Sequence, residues 1–203
     1  MRRSFGHGCE TAGHKTGRRS VVNMKKIYIK EEYCIGCRLC EIHCLVQHSN
    51  SKNIIRVYKG EYPKPVPRIL IEEKGCLSFA LQCRHCEDAP CVSICPTQAL
   101  EKSYAEGPVL IKVERCIGCK FCIAVCPFGV ITLNREGKAA LKCDLCVERL
   151  EEGQEPACVE ACHTGALRFG EVSEEVRRTR EKAAKRMVTS KKQADKIQSE
   201  SGS

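Results

Sequence analysis

Apolar residues in this chain come in short bursts separated by turn residues. Residues 25–30, Lys-Lys-Ile-Tyr-Ile-Lys, read as a strand, and residues 53–58 and 66–72 alternate in a strand-like way. Pro63, Pro65 and Pro67 punctuate the connection between the last two and favour an edge position. Residues 130–134 and 138–142 flank Arg135-Glu136-Gly137, which predicts a hairpin. After Gly170 the pattern becomes charged and helix-favouring. Ser173 suits an N-cap, Glu174 and Glu175 suit a first turn, and Val176, Ala183, Met187, Ala194 and Ile197 fall loosely on one face. So thin a stripe fits a solvated helix better than a docking one. Residues 1–23 are polar, glycine-rich and basic and read as a disordered leader, with Met24 as an alternative start.

The chain has 203 residues, enough for one or two small domains, with no tryptophan, five tyrosines and five phenylalanines. Such a chain has little with which to build a core, and bound metal can supply what the core lacks. It also has eighteen cysteines. That density points to disulfides, zinc or iron–sulfur clusters. Disulfides need an oxidising compartment. Met1-Arg2-Arg3-Ser4-Phe5 has paired arginines, but no apolar segment follows as a secretion signal requires. No stretch approaches the ~20 apolar residues of a membrane span. The sequence therefore reads as cytoplasmic, where dense cysteines are metal ligands.

The cysteines form an internal repeat. Cys34, Cys37, Cys40 and Cys44 recur as Cys116, Cys119, Cys122 and Cys126. Glu32-Tyr33-Cys34-Ile35-Gly36-Cys37 matches Glu114-Arg115-Cys116-Ile117-Gly118-Cys119. Two looser runs are Cys83, Cys86, Cys91 and Cys95, and Cys143, Cys146, Cys158 and Cys162. Three of the four final cysteines, Cys95, Cys126 and Cys162, lead into segments that read as a helix end, a turn and a strand. The leftover Cys76 reads as a small packed residue, and Cys9 lies in the leader.

C-x2-C-x2-C-x3-C is an iron–sulfur signature: three thiolates wrap one cluster, and the fourth can reach its neighbour. Gly36 and Gly118 let backbone N–H groups approach sulfur, and Ile35 and Ile117 are placed to shield the clusters from water. Zinc would use paired cysteines, which fits Cys83-x2-Cys86 or Cys143-x2-Cys146 alone, but the triple runs would leave thiols over. No ligand position is vacant for His43, His85 or His163. Four clusters at about −2 each would bring the formal charge of +9 to near +1, leaving basic ends on an acidic body. That argues against nucleic acid, as does the shortage of aromatic readers. No nucleophile constellation or nucleotide-binding glycine loop appears, so the chain reads as a wire rather than an enzyme. A zinc-binding regulatory protein is the alternative of another class.

Residues 25–170 resemble the four-cluster ferredoxin-like electron-transfer subunits of oxidoreductase complexes. The likeness to the iron–sulfur protein associated with carbon monoxide dehydrogenase rests on residues 30–37, 72–75 and 78–87. This resemblance implies an α+β fold of two 2[4Fe–4S] ferredoxin-like domains, one inserted in the other. The outer would span 24–74 and 143–170 with a β insertion at 45–74, the inner 75–142, and a helical tail 171–203. It implies crossed ligation: Cys34, Cys37, Cys40 with Cys162; Cys143, Cys146, Cys158 with Cys44; Cys83, Cys86, Cys91 with Cys126; and Cys116, Cys119, Cys122 with Cys95. It implies a hetero-oligomer, with electrons passing from carbon monoxide dehydrogenase to a hydrogenase or nucleotide-reducing flavoenzyme. Service to a formate dehydrogenase or a tungsten or molybdenum aldehyde oxidoreductase is the alternative.

Overall fold

The structure, a computed structural model, describes residues 25–104 and 107–184. The leader with Cys9, and Met187, Ala194 and Ile197 of the tail, lie outside the described residues.

The fold of the described residues is α+β, with four separate two-stranded antiparallel sheets and short helices. Strand β1 (Lys25–Ile29) pairs with β8 (Leu167–Glu171), so the two ends of the body meet in one ribbon. Strands β2 (Ile69–Lys74) and β3 (Leu77–Gln82) form a hairpin turning at Gly75. Strands β4 (Leu100–Lys102) and β5 (Val109–Ile111) form a third pair, and β6 (Thr132–Leu133) and β7 (Ala140–Leu141) a fourth. The helices are α1 (Leu39–Gln47), α2 (Ile54–Gly60), α3 (Pro90–Ser93), α4 (Phe121–Val125), α5 (Val147–Glu151) and α6 (Ala157–Glu160). A further helix, α7, starts at residue 172 and runs to 184, the last described residue.

The described residues form two buried clusters. One joins Ile27, Ile69, Ile71, Ala80, Leu145, Val159 and Leu167 with Cys40, Cys44 and Cys158. The other joins Leu100, Val109, Ile131 and Ala140 with Cys91 and Cys122. The first takes residues from both ends of the body, the second from its middle. Cysteine and alanine supply more than half of the buried apolar residues. Buried thiols are thus part of each core rather than its decoration.

Several sequence expectations are corrected. Residues 53–58 are not a strand: Asn53 accepts from the N–H groups of Ile55 (3.0 Å) and Arg56 (3.2 Å) and starts α2. The strand expected at 66–72 begins at Ile69, with β3 as its unanticipated partner. The hairpin at 130–142 is only two residues long on each side. Ser173 is no N-cap, because α7 follows β8 directly. That helix is tied to the body: Glu175 faces Lys30 at 3.7 Å, and the Lys182 ammonium lies 5.9 Å from the centre of the Tyr33 ring. Cys76 sits exposed in the β2–β3 turn instead of packing. Ile35 and Ile117 are 71% and 66% exposed, yet Ile117 lines the cavity that holds Cys95, Cys116, Cys119 and Cys122.

Candidate metal centres

The two strict cysteine runs fold alike. Each follows a 3-10 turn, Glu31–Tyr33 or Val113–Arg115, and each opens a helix one residue before its third cysteine. Between the cysteines the backbone turns left-handed twice, at Gly36 (φ 67°) and Arg38 (φ 59°), and again at Gly118 (φ 68°) and Lys120 (φ 66°). This handedness turns successive N–H groups toward one point, a nest that suits an anionic centre. Left-handed geometry costs a non-glycine residue about 1–2 kcal/mol, and here Arg38 and Lys120 both carry it. Gly118 is further constrained, since a Cβ there would lie 2.6 Å from the Lys138 carbonyl oxygen.

The looser runs turn by the same device. His85 (φ 46°) precedes Cys86, and Leu145 (φ 64°) precedes Cys146. Three residues after Cys95, Cys126 and Cys162 come Gln98, Gly129 and Gly165, all left-handed. The exits of Cys95 and Cys162 continue into β4 and β8, the turn and strand expected of them.

Backbone N–H groups point at the sulfurs. Arg68 donates to Cys44 Sγ at 3.2 Å, Leu167 to Cys162 at 3.3 Å and Leu145 to Cys143 at 3.4 Å. His85 donates to Cys83 and Ala140 to Cys116, both at 3.5 Å. The Thr97 and Thr164 hydroxyls stand 3.8 and 3.7 Å from Cys95 and Cys162 at matching places in the repeat.

Proximity of thiols crosses the linear runs. Burial pushes the Cys40 thiol up to about 12, with Cys37 and distant Cys162 adding to the effect. Burial raises Cys143, Cys146 (to about 11) and Cys158, and all three also feel Cys44. Cys91 is raised to about 11, first by burial, then by Cys83, and further by Cys126. Cys122 is raised by burial and by Cys116 and Cys119. Cys95, Cys116, Cys119 and Cys122 line one enclosed cavity with Ile111 and Leu133. The Cys34 thiol packs against the first core, and that of Cys86 against the second.

A polar shell unseen in the sequence surrounds these sulfurs. His48, which caps the end of α1 one turn beyond Cys44, has Nδ1 2.7 Å from the Cys44 carbonyl oxygen and Nε2 3.1 Å from Asp144. Burial pulls its basicity down, but Asp144 and Cys44 override this and raise it to about 9. Arg68 donates to the other Asp144 oxygen at 2.5 Å. Although burial opposes ionisation, His48 and Arg68 hold the Asp144 carboxyl below its ordinary range. His85 is 2% exposed, and its Nδ1 accepts from Val109 N–H at 3.1 Å. The neutral ring therefore carries its proton on Nε2, a buried atom without a partner among the described residues. The signal available was position alone: His48 lies four residues past Cys44, and His85 and Asp144 lie inside C-x2-C loops.

These features fit [4Fe–4S] clusters. Crowded buried thiols cannot all ionise without cationic compensation, and iron provides it. Inward N–H groups and the leftover His85 N–H are donors suited to an anionic, sulfur-rich group. Structural zinc also takes four cysteines, but as two separated pairs, which the triple runs at Cys34 and Cys116 do not supply.

Comparison with known proteins agrees. The sequence profile of a 4Fe-4S dicluster domain matches residues 75–172, and that of a 4Fe-4S binding domain matches 31–47. An Escherichia coli protein named for electron transport, YsaA, is 42% identical over 149 residues, covering 72% of this chain and 89% of its own. The thiosulfate reductase electron transfer subunit PhsB of Salmonella typhi is 40% identical over 148 residues, covering 71% of this chain and 74% of its own. The iron–sulfur subunit of the nitrate-inducible formate dehydrogenase of Escherichia coli is 38% identical over 165 residues, covering 75% of this chain and 56% of its own.

Proposed function

Because the chain belongs to the 4Fe-4S ferredoxin-like family of electron-transfer subunits, we propose that it wires a formate dehydrogenase or a related catalytic subunit to an electron acceptor. The family's cofactors are four [4Fe–4S] clusters, and the chain is an electron-transfer subunit rather than the catalyst. Bound clusters supply one-electron chemistry; the chain's part is to hold them, screen them and set their potentials.

The proposed ligand sets are the crossed ones: Cys34, Cys37, Cys40, Cys162; Cys44, Cys143, Cys146, Cys158; Cys83, Cys86, Cys91, Cys126; and Cys95, Cys116, Cys119, Cys122. The observation that supports them is that Cys143, Cys146 and Cys158 all feel the Cys44 thiol, and Cys40 feels that of Cys162, across distant runs. The nested arrangement, residues 75–142 within an outer unit of 24–74 and 143–170, follows from the same crossing. Supporting it, β1 and β8 close the ends together. Burial supports one order for the wire. Cys37 and Cys119 are exposed, whereas Cys143, Cys146 and Cys158 are buried. The sets containing Cys37 and Cys119 are therefore the terminals. Exposed Ile35 and Ile117 mark these as the faces that partners cover.

The partner reading shifts from the sequence's first expectation. Carbon monoxide dehydrogenase rested on likeness alone, whereas the relatives named for a substrate serve formate and thiosulfate. No helix among the described residues is long and apolar enough to cross a membrane. The test is anaerobic purification with whatever accompanies the chain. Formate should bleach the cluster absorbance of the purified complex. Bleaching by carbon monoxide and not by formate would restore the earlier partner.

A further inference from the structure

Lys142 is 4% exposed and immediately precedes Cys143. Its ammonium donates to the carbonyl of Cys143 at 2.7 Å and to that of Val109. Val109 N–H in turn donates to His85, inside the Cys83–Cys86 loop. The lysine thus stands between the two cysteine loops that lie in the middle of the proposed wire. No carboxylate among the described residues forms an ion pair with it, and neighbouring Asp144 is held by Arg68 and His48. A buried ammonium without an anion is unfavourable by several kcal/mol. Two carbonyl dipoles satisfy two of its protons but not its charge.

We propose that Lys142 is a positioning residue whose fixed charge is shared by the two central clusters, that of Cys83, Cys86, Cys91 and Cys126 and that of Cys44, Cys143, Cys146 and Cys158. Its ammonium rests on the Cys143 carbonyl and, through Val109, reaches the loop that holds His85. A cation beside a cluster favours the reduced, more negative state, and cluster potential follows local charge and hydrogen bonding. Lys142 therefore makes the two central clusters easier to reduce and bridges the halves of the chain electrostatically. This inference rests on the crossed ligand sets above.

The test is a redox titration followed by electron paramagnetic resonance on the full holoprotein. Lys142→Gln keeps hydrogen-bond donors and removes the charge. Two of four clusters should become harder to reduce, by at least tenfold in reduced-to-oxidised ratio at fixed potential, 59 mV for one electron. The other two should not move, and Lys142→Arg should leave all four in place. Four clusters with unchanged potentials in Lys142→Gln, or an equal shift in Lys142→Arg, overturns the inference. If Lys142→Gln and the size-matched Lys142→Met both lose iron, Lys142→Arg decides: retention of four clusters supports the charge requirement, and loss overturns it. A wild-type chain without four clusters would refute the underlying reading instead.

Discussion

Cys162→Ala is expected to lose about four of about sixteen irons, and to lose them at the loop of Cys34, Cys37 and Cys40. Cys162 lies two residues past α6 and receives N–H from Leu167, yet its influence falls on Cys40. The Cys143 set is filled from elsewhere, by Cys44, whose sulfur receives Arg68 N–H. Crossing therefore predicts damage far from the substitution in sequence. Iron analysis gives the number of clusters lost, and alkylation of the native protein with peptide mapping gives their place. Labelling should appear at Cys34, Cys37 and Cys40. Labelling at Cys143, Cys146 and Cys158 instead would mean that each run closes its own cluster.

Removal of iron by a chelator is expected to abolish the fold of residues 25–171, not merely its redox activity. Each sheet has only two strands, a unit that is marginal alone in water. The largest side chains buried to below 2% exposure are Ile69, Gln82, Val109 and Pro156, with no aromatic ring among them. Thiols and alanine methyls cannot fill such a core. With metal gone, buried cysteines face one another in place of the ions they enclosed. The whole folding free energy, about 5–15 kcal/mol for a domain, then depends on cluster binding. Circular dichroism during heating should show a cooperative transition in the holoprotein and none after chelation. An apoprotein that melts cooperatively near the holoprotein temperature would refute this.

The ligand pattern was legible in sequence because ligation by a loop is local. Spacing alone brings three thiolates to one centre, and the repeat announced itself in Ile35-Gly36 and Ile117-Gly118. The exits after Cys95 and Cys162 were legible too, since a left-handed turn followed by an apolar pair leaves few choices. Residues 53–58 were misread because Ile54-Ile55 and Val57 fit either period, and one Asn53 side chain settled the matter by capping two N–H groups. Strand β3 was missed because its sequence, Leu-Ser-Phe-Ala-Leu-Gln, takes its form from pairing with β2. The polar shell was illegible for another reason. His48 meets Asp144, and Lys142 meets Val109, only after folding brings distant segments together. Nothing in the local sequence separates these residues from ordinary surface charges.

Iron and acid-labile sulfide in the anaerobically purified chain test the central claim most directly. Four clusters predict about sixteen of each per chain, with no stoichiometric zinc. Stoichiometric zinc, or iron and sulfide near eight, would contradict it.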